Sequence, residues 1–227
     1  MELNTQYFLK VLIGLLTGAV AGIIFCRQRL KLMRSFFEQM APWPQNDGSL
    51  HLYALPDGDV RERLDEAAAL IDGVPNLPLV PDAWRHFTVR RLAQFDDLKQ
   101  AELSRLADCV TEAVEGVGPF DLNVGTPQVH DRAVECVAEA NPGWEALINA
   151  AGKAAAAFGG EVKDAPYAPH LTLAYATGDV EDAELHRRLG PAQAIGTVHI
   201  GQVHLVSVTV RPELGWFDWV ELANWSL

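Results

Sequence analysis

Apolar and polar positions recur with two different periods along residues 50–227, and these periods predict strands and helices. Short apolar or alternating runs, typical of strands, occupy residues 50–56, 84–92, 120–124, 132–138, 168–176, 196–210 and 216–223. Apolar residues at helical spacing occupy residues 57–72, 96–115, 143–158 and 182–189. The order of these elements predicts two similar halves, each with strands and helices.

The N-terminal part of the chain has a different pattern. Residues 7–26 form an apolar run whose only charge is Lys10. A run of about 20 apolar residues is long enough to cross a bilayer core, so it predicts a transmembrane helix. It is followed by four basic residues, Arg27, Arg29, Lys31 and Arg34. The positive-inside tendency then predicts a cytoplasmic protein tethered to the inner face of a membrane, with a soluble cytoplasmic protein as the alternative.

Three other interpretations of the hydrophobic run stay open. The tripeptide at 19–21, Ala-Val-Ala, resembles a signal-peptidase site, although more apolar residues and then the basic cluster follow it. The run also fits a buried helix of a soluble protein. Alternatively, it is an extension translated from an upstream start, with Met33 or Met40 as the real first residue.

A stretch that ends in turn formers, SFFEQMAPWPQNDGS, separates the hydrophobic run from the patterned region. It predicts a linker. The expected organisation is therefore a hydrophobic helix with a basic flank over residues 1–34, a linker over 35–49 and a folded domain over 50–227.

Two of the predicted strands carry the same motif, a histidine followed two positions later by a threonine. The stretch WRHFTVRRL contains His86 and Thr88, and APHLTLAYA contains His170 and Thr172. Side chains two positions apart share one face of a strand, so each histidine points the same way as its threonine. The apolar residue between them is expected to face the core.

The composition limits the partners of these motifs. A formal net charge of −12 disfavours a protein that grips long nucleic acid, which needs clustered basic residues, but it leaves a small ligand or a nucleic-acid end. The three cysteines, Cys26, Cys109 and Cys136, lie far apart and have no metal-ligand spacing, which suggests free thiols in a reducing compartment. The sequence predicts no metal site and no cofactor.

A pair of histidines suits the chemistry of a phosphodiester. In an in-line displacement the attacking and leaving oxygens lie on opposite sides of the phosphorus, so one base and one acid must face each other. Imidazoles can fill both roles near neutral pH. The hydroxyls of Thr88 and Thr172 can donate hydrogen bonds to the non-bridging oxygens as negative charge develops. The predicted catalytic residues are therefore His86 and His170, with the choice of acid and base open.

With these two motifs, residues 50–227 resemble the 2H phosphoesterase superfamily and, within it, the 2′-5′ RNA ligase-like proteins. The resemblance implies an α+β, two-lobed fold in which two antiparallel sheets with outer helices surround a central cleft. It also implies opening of a 2′,3′-cyclic phosphate, on an RNA end or a small nucleotide, to a monoester. Other substrates that the resemblance allows are 2′-5′ linkages and ADP-ribose 1″,2″-cyclic phosphate, and ligation would be the reverse reaction.

Three further residues are candidates for substrate contacts. Arg90 is expected to share the face of His86 and Thr88 and to contact a phosphate. Tyr167 and Tyr175 flank the second motif and are candidates for stacking on a base. The remaining histidines are expected to be structural, because His51 opens a strand and the others have no shared pattern.

Two functions of other classes also fit the sequence. One is a nucleotide-binding module that keeps the cleft without turnover. The other is a membrane-anchored interaction domain whose cleft is incidental. Binding of a cyclic nucleotide without turnover would favour the first, and neither binding nor turnover would favour the second.

Overall fold

Two four-stranded antiparallel sheets form the framework of the protein in a computed structural model that describes residues 32–43, 45–94, 98–159 and 165–227. The strands in chain order are β1 (Leu32–Met33), β2 (Ser49–Ala54), β3 (Phe87–Gln94), β4 (Phe120–Val129), β5 (Ala133–Ala138), β6 (His170–Tyr175), β7 (Val180–Glu181), β8 (Gly196–Ile200), β9 (Gln202–Arg211) and β10 (Trp216–Ser226). The helices are α1 (Phe36–Gln39), α2 (Gly58–Ala69), α3 (Gln100–Val114), α4 (Pro142–Phe158) and α5 (Asp182–Leu189).

The two sheets place the two motif strands at comparable positions. The first sheet has the order β10-β9-β2-β3 and the second has the order β6-β5-β4-β8, and all pairs are antiparallel. The strand that follows His86 is thus an edge strand of one sheet, and the strand that begins with His170 is an edge strand of the other. The antiparallel α+β architecture that the resemblance implied is confirmed.

The helices cover the sheets with the apolar faces that the sequence predicts. On α2 the buried residues are Val60, Leu64, Ala67 and Ala68, with Ile71 just beyond its end. Helix α3 buries Leu106, Val110 and Val114, whereas α4 buries Trp144, Leu147 and four alanines. Small alanine side chains allow α4 to approach α3 and the sheets closely, and this burial of apolar surface stabilises the fold.

The single long strand predicted over residues 196–210 is wrong. The strand is interrupted at Gly201, which lies between the last residue of β8 and the first residue of β9. Strand β8 pairs with β4 in the second sheet, but β9 pairs with β2 and β10 in the first. His199 and His204 therefore lie in different sheets, where each bonds a nearby carboxylate, Asp121 at 2.8 Å and Glu221 at 2.7 Å respectively.

The linker predicted over residues 35–49 is instead part of the folded body. Just before it, β1 pairs with β7, and the Ser35 hydroxyl caps α1 by accepting from the Glu38 amide at 3.3 Å. The aromatic rings of Phe36 and Trp43 then pack against Phe217 at centroid distances of 5.9 and 5.7 Å. Because burying large aromatic side chains is strongly favourable, these residues tie the segment to the body rather than leaving it extended in solvent.

The predicted membrane helix over residues 7–26 lies outside the described residues. Within the described ranges, no helix is long and apolar enough to span a bilayer. The anchor stays a prediction.

Candidate active site

His86 and His170 line one cleft. His86 immediately precedes β3, after a short 3₁₀ turn at Asp82–Trp84, and His170 is the first residue of β6. Both imidazoles contribute to the wall of a cavity of about 280 Å³, together with Thr88. This volume is at the small end of the range for small-molecule sites. The structure thus brings together three of the residues that the motifs predict.

Both histidine rings are held in the same way. The Nδ1 of His86 donates to the carbonyl of Trp84 at 2.7 Å, and the Nδ1 of His170 donates to the carbonyl of Ala168 at 2.9 Å. A carbonyl oxygen only accepts, so the proton of each neutral ring must lie on Nδ1. In each ring, Nε2 is therefore the nitrogen left to take or give a proton in the cleft.

The surroundings of His86 favour its neutral form. Burial lowers the pKa of His86 to about 4. The hydrogen bond to the Trp84 carbonyl opposes this effect, and the nearby charge of His170 adds to it. His86 is therefore unprotonated at neutral pH.

The two motif threonines have different environments. Thr88 is partly exposed and faces the main cavity, whereas Thr172 is only 7% exposed and lies beside His86 in a small adjoining pocket. Burial raises the pKa of the Tyr175 phenol to about 12, and the nearby Thr172 hydroxyl opposes this effect. As predicted, Phe87 and Leu171, the residues between each histidine and its threonine, are buried in the core.

The prediction that Arg90 shares the face of His86 and Thr88 is wrong. Strand β3 pairs Thr88 with Tyr53 but Arg90 with Leu52, so Val89 is an extra residue in the ladder. Such a β-bulge reverses the alternation beyond it. The Arg90 side chain is accordingly buried on the helix side.

The bulge exchanges the roles of two neighbouring arginines. Arg90 donates to the Ile148 carbonyl of α4 at 3.3 Å and lies close to Gly152 of the same helix. Arg91 instead lines the cleft, where its guanidinium lies 4.3 Å from the ring centroid of Trp43. Arg91 is therefore the arginine of β3 whose side chain lines the cavity.

The two tyrosines near the second motif also differ. Tyr167 is 67% exposed, and its ring stacks on His170 with a centroid distance of 5.1 Å and an interplanar angle of 13°. Its hydroxyl donates to Glu135 Oε2 at 2.6 Å. Tyr175 lines the cavity from inside an aromatic cluster, 4.5 Å from Phe36. Base stacking by either tyrosine stays a prediction.

The sequence pattern predicts a structural role for His51, yet this residue lines the cavity. Its Nδ1 lies 2.9 Å from the Tyr53 hydroxyl, and its Nε2 lies 3.3 Å from Ser49 Oγ. Tyr53 in turn stacks on His86 with a centroid distance of 3.7 Å and an interplanar angle of 11°. The signal was present in the sequence, because Ser49, His51 and Tyr53 alternate along β2 in the same way as the residues of the two motifs.

One wall of the cleft consists of aromatic residues, and we call it the aromatic wall. Its members that line the cavity are Phe36, Trp43, Tyr175 and Phe217. Two of these precede residue 50 and fall in the segment that was expected to be a linker. Among the described residues, no group of three or more histidines, cysteines or carboxylates is arranged to hold a metal ion.

The fold is similar to those of solved structures. E. coli LigT, crystallised with 3′-AMP, is 18% identical with a TM-score of 0.59, and the match covers 80% of this chain and 98% of LigT. A crystal structure described as a phosphoesterase gives the same TM-score of 0.59 at 17% identity, with 80% and 98% covered. TT0787 of Thermus thermophilus is 20% identical with a TM-score of 0.57, covering 79% of this chain and 97% of TT0787.

Comparison with family models identifies the sequence family. No curated protein matches the chain. The model of the 2′-5′ RNA ligase superfamily matches residues 56–211, which is more than half of the 227 residues and includes both motifs. The two-histidine resemblance is thereby confirmed, and the chain belongs to the 2′-5′ RNA ligase superfamily.

Proposed function

We propose that the protein is a metal-independent phosphodiesterase that opens a 2′,3′-cyclic phosphate, on an RNA end or a small nucleotide, to a phosphomonoester. Membership of the superfamily supports phosphodiesterase activity. The observation that carries the proposal is that both imidazoles are held in the same way. Each donates from Nδ1 to a backbone carbonyl and has Nε2 available in the same cleft. The E. coli LigT structure with 3′-AMP supports a ligand of nucleotide size.

The lowered pKa of His86 favours it as the base. Its Nε2 takes a proton from water as the water oxygen forms a bond to phosphorus. The bond from phosphorus to one sugar oxygen breaks, and protonated His170 gives its Nε2 proton to that leaving oxygen. One water is consumed, and the product is a monoester with a free hydroxyl. After product release, one proton passes between solvent and each ring to restore the starting state.

The remaining polar residues of the cleft fit the phosphate. Thr88 can donate to one non-bridging oxygen, as can Thr172. The phenol of Tyr175 stays protonated because burial raises its pKa to about 12, so it adds a hydroxyl donor and no negative charge to the cleft. Arg91, rather than Arg90, supplies the positive charge beside these hydroxyls.

The test is incubation of the full-length protein with a panel of substrates in excess chelator. The panel contains 2′,3′-cyclic nucleotides, an RNA ending in a 2′,3′-cyclic phosphate, a 2′-5′ dinucleotide and ADP-ribose 1″,2″-cyclic phosphate. We expect turnover of the 2′,3′-cyclic phosphates that the chelator does not reduce. Loss of activity with chelator would contradict the metal-independent mechanism, and tight binding without turnover would indicate a nucleotide-binding module instead.

A further inference from the structure

Each catalytic imidazole lies flat against a tyrosine, and the two tyrosines have hydrogen-bond partners of different charge. Tyr53 stacks on His86 at 3.7 Å and is bonded to His51, whereas Tyr167 stacks on His170 at 5.1 Å and is bonded to Glu135. We propose that these tyrosines are positioning residues that divide the two catalytic roles. The Glu135-bonded tyrosine supports the protonated form of His170, and the His51-bonded tyrosine supports the neutral form of His86. This inference rests on the proposed function.

The hydrogen bonds on the Tyr53 side leave that tyrosine without a negative partner. Burial, with the nearby charges of His86 and Arg91, holds the pKa of His51 well below its usual value. Burial also holds the pKa of Tyr53 well above its usual value, so Tyr53 remains a phenol. The phenol therefore donates to Nδ1 of a neutral His51, and the Nε2 proton of His51 is donated to Ser49 Oγ.

The hydrogen bond on the Tyr167 side has the opposite character. The Tyr167 hydroxyl donates to Glu135 at 2.6 Å, a distance typical of a charge-assisted bond to a carboxylate. The Glu135 side chain is only 12% exposed, so solvent screens its charge weakly. A phenol that donates to an anion has a more electron-rich ring. The face of such a ring attracts a cation such as a protonated imidazole.

The other charged groups near the two rings are consistent with this division. On the His86 side, Arg91 lines the cavity, and the buried Arg85 donates to Asp65 and to the Val80 carbonyl. On the His170 side, His130 Nε2 lies 3.8 Å from Glu135. The charge of His170 also lowers the pKa of His86. Arg85 is paired with the carboxylates of Asp65 and Asp82, so Arg91 is the cation that lines the cavity on the side of the base, and the Glu135 carboxylate lies on the side of the acid.

The first test measures the pH profile of kcat/KM for 2′,3′-cyclic AMP in four variants of the full-length protein. Glu135→Gln and Tyr167→Phe should each move the alkaline limb, where the acid loses its proton, to lower pH by about 0.5 to 1 unit. Tyr53→Phe should leave that limb in place. The matched control is Glu112→Gln, an exposed carboxylate on α3, which should not change the profile.

A second readout does not depend on turnover. The ring C–H resonances of His86 and His170, assigned with His86→Gln and His170→Gln, are followed by NMR across pH without substrate. In Glu135→Gln and Tyr167→Phe, the His170 resonance should titrate at lower pH than in the native protein. Unchanged titration in both variants would overturn the inference even if turnover is intact. The expected shift in a protein that opens no cyclic phosphate would instead contradict only the proposed function.

The double variant separates an effect through the tyrosine from a direct effect of the carboxylate. If Glu135 acts through the Tyr167 ring, Glu135→Gln combined with Tyr167→Phe should shift the alkaline limb no further than Glu135→Gln alone. Additive shifts would show that the carboxylate acts on His170 independently of the stacked ring. That result would remove Tyr167 from the proposed role.

Discussion

The two histidine motifs have the same spacing and the same backbone tether, but they are embedded to different depths. Tyr53, which stacks on the histidine of the first motif, is buried at 2% exposure, whereas Tyr167, which stacks on the histidine of the second motif, is 67% exposed. Thr88 faces the open cavity, but Thr172 is buried and lines a small pocket together with Tyr175. Equal motifs on two edge strands therefore do not imply equal roles, because the surroundings of the two imidazoles differ, and burial lowers the pKa of His86.

The largest effects are expected from the histidines themselves. His86→Ala and His170→Ala should each slow opening of 2′,3′-cyclic AMP by about 10² to 10⁴-fold, the contribution of a positioned acid or base, with much smaller changes in binding. The double variant should be little slower than the slower single variant, because the two groups act as a unit. Steady-state kinetics checks this, with His186→Ala on the exposed face of α5 as control. Full activity of either single variant would contradict the two-histidine mechanism.

The two motif threonines should differ in their effect on stability, although both should affect catalysis. Thr88→Val and Thr172→Val each remove a donor to the developing negative charge, and each should lower kcat by about 10 to 10³-fold. Thr172 is also buried, at 7% exposure, and its hydroxyl acts on the Tyr175 phenol, so Thr172→Val alone should lower the melting temperature. Kinetics and thermal unfolding of both variants provide the measurement. Equal melting temperatures would show that the Tyr175 contact adds nothing to stability.

The neighbouring arginines give a sharper contrast. Arg91→Ala should raise KM about 10-fold with a small effect on stability, because its guanidinium faces the cavity. Arg90→Ala removes a buried bond to the Ile148 carbonyl, so it should lower the free energy of unfolding by about 1 to 3 kcal/mol with little change in KM. Substrate saturation curves and urea unfolding distinguish the two. An increase in KM in Arg90→Ala alone would contradict the bulge register.

The smallest expected effect is the dependence of the free energy of unfolding on pH. The folded-state pKa of His86 is about 4, below the usual 6.5 of an unfolded chain, so between these values the unfolded state binds more protons. The free energy of unfolding should therefore fall as the pH is lowered from about 6.5 to about 4, by about 1 to 2 kcal/mol at pH 5 after allowing for solvent screening. Urea unfolding at pH 7 and pH 5 measures it.

His86→Gln should reduce this pH dependence without abolishing it. The pKa of His51 is also lowered by burial, so His51 continues to destabilise the folded state as the pH falls. His186→Gln, on an exposed surface, serves as the matched control and should keep the native dependence. An unchanged slope in His86→Gln would show that His86 does not titrate abnormally in the folded protein.

The regular features of this fold follow from the sequence, but its irregular features do not. Helix α5 has the predicted bounds, and the faces of Phe87 and Leu171 are as expected, because period and burial agree over short elements. The bulge at Val89 carries no glycine or other marker, and it alone moves Arg90 out of the cleft. The break at Gly201 has only an ambiguous signal: the apolar positions shift from 198 and 200 to 203 and 205 across a glycine, which is also typical of a bulge within one strand.

Long-range packing explains the remaining differences. Trp43 lies among prolines and polar residues that indicate a spacer. Only in the folded protein does its ring pack against the guanidinium of Arg91. The alternation of Ser49, His51 and Tyr53 indicates that they share a face, but it does not indicate that this face lines the cleft, because the first motif lies more than thirty residues later. The pairing of β2 with β3 brings them together. Such contacts depend on tertiary pairing rather than on local pattern.

The aromatic wall makes the boundaries of the sequence family and of the working enzyme differ. The family match begins at residue 56, yet Phe36 and Trp43 already line the cavity. A protein shortened to residues 56–211 would retain both histidines and both threonines, but it would lose β2, which joins β3 to β9, and β10 at the edge of the same sheet. The cleft of this protein is therefore built partly from chain outside the residues that the family model matches.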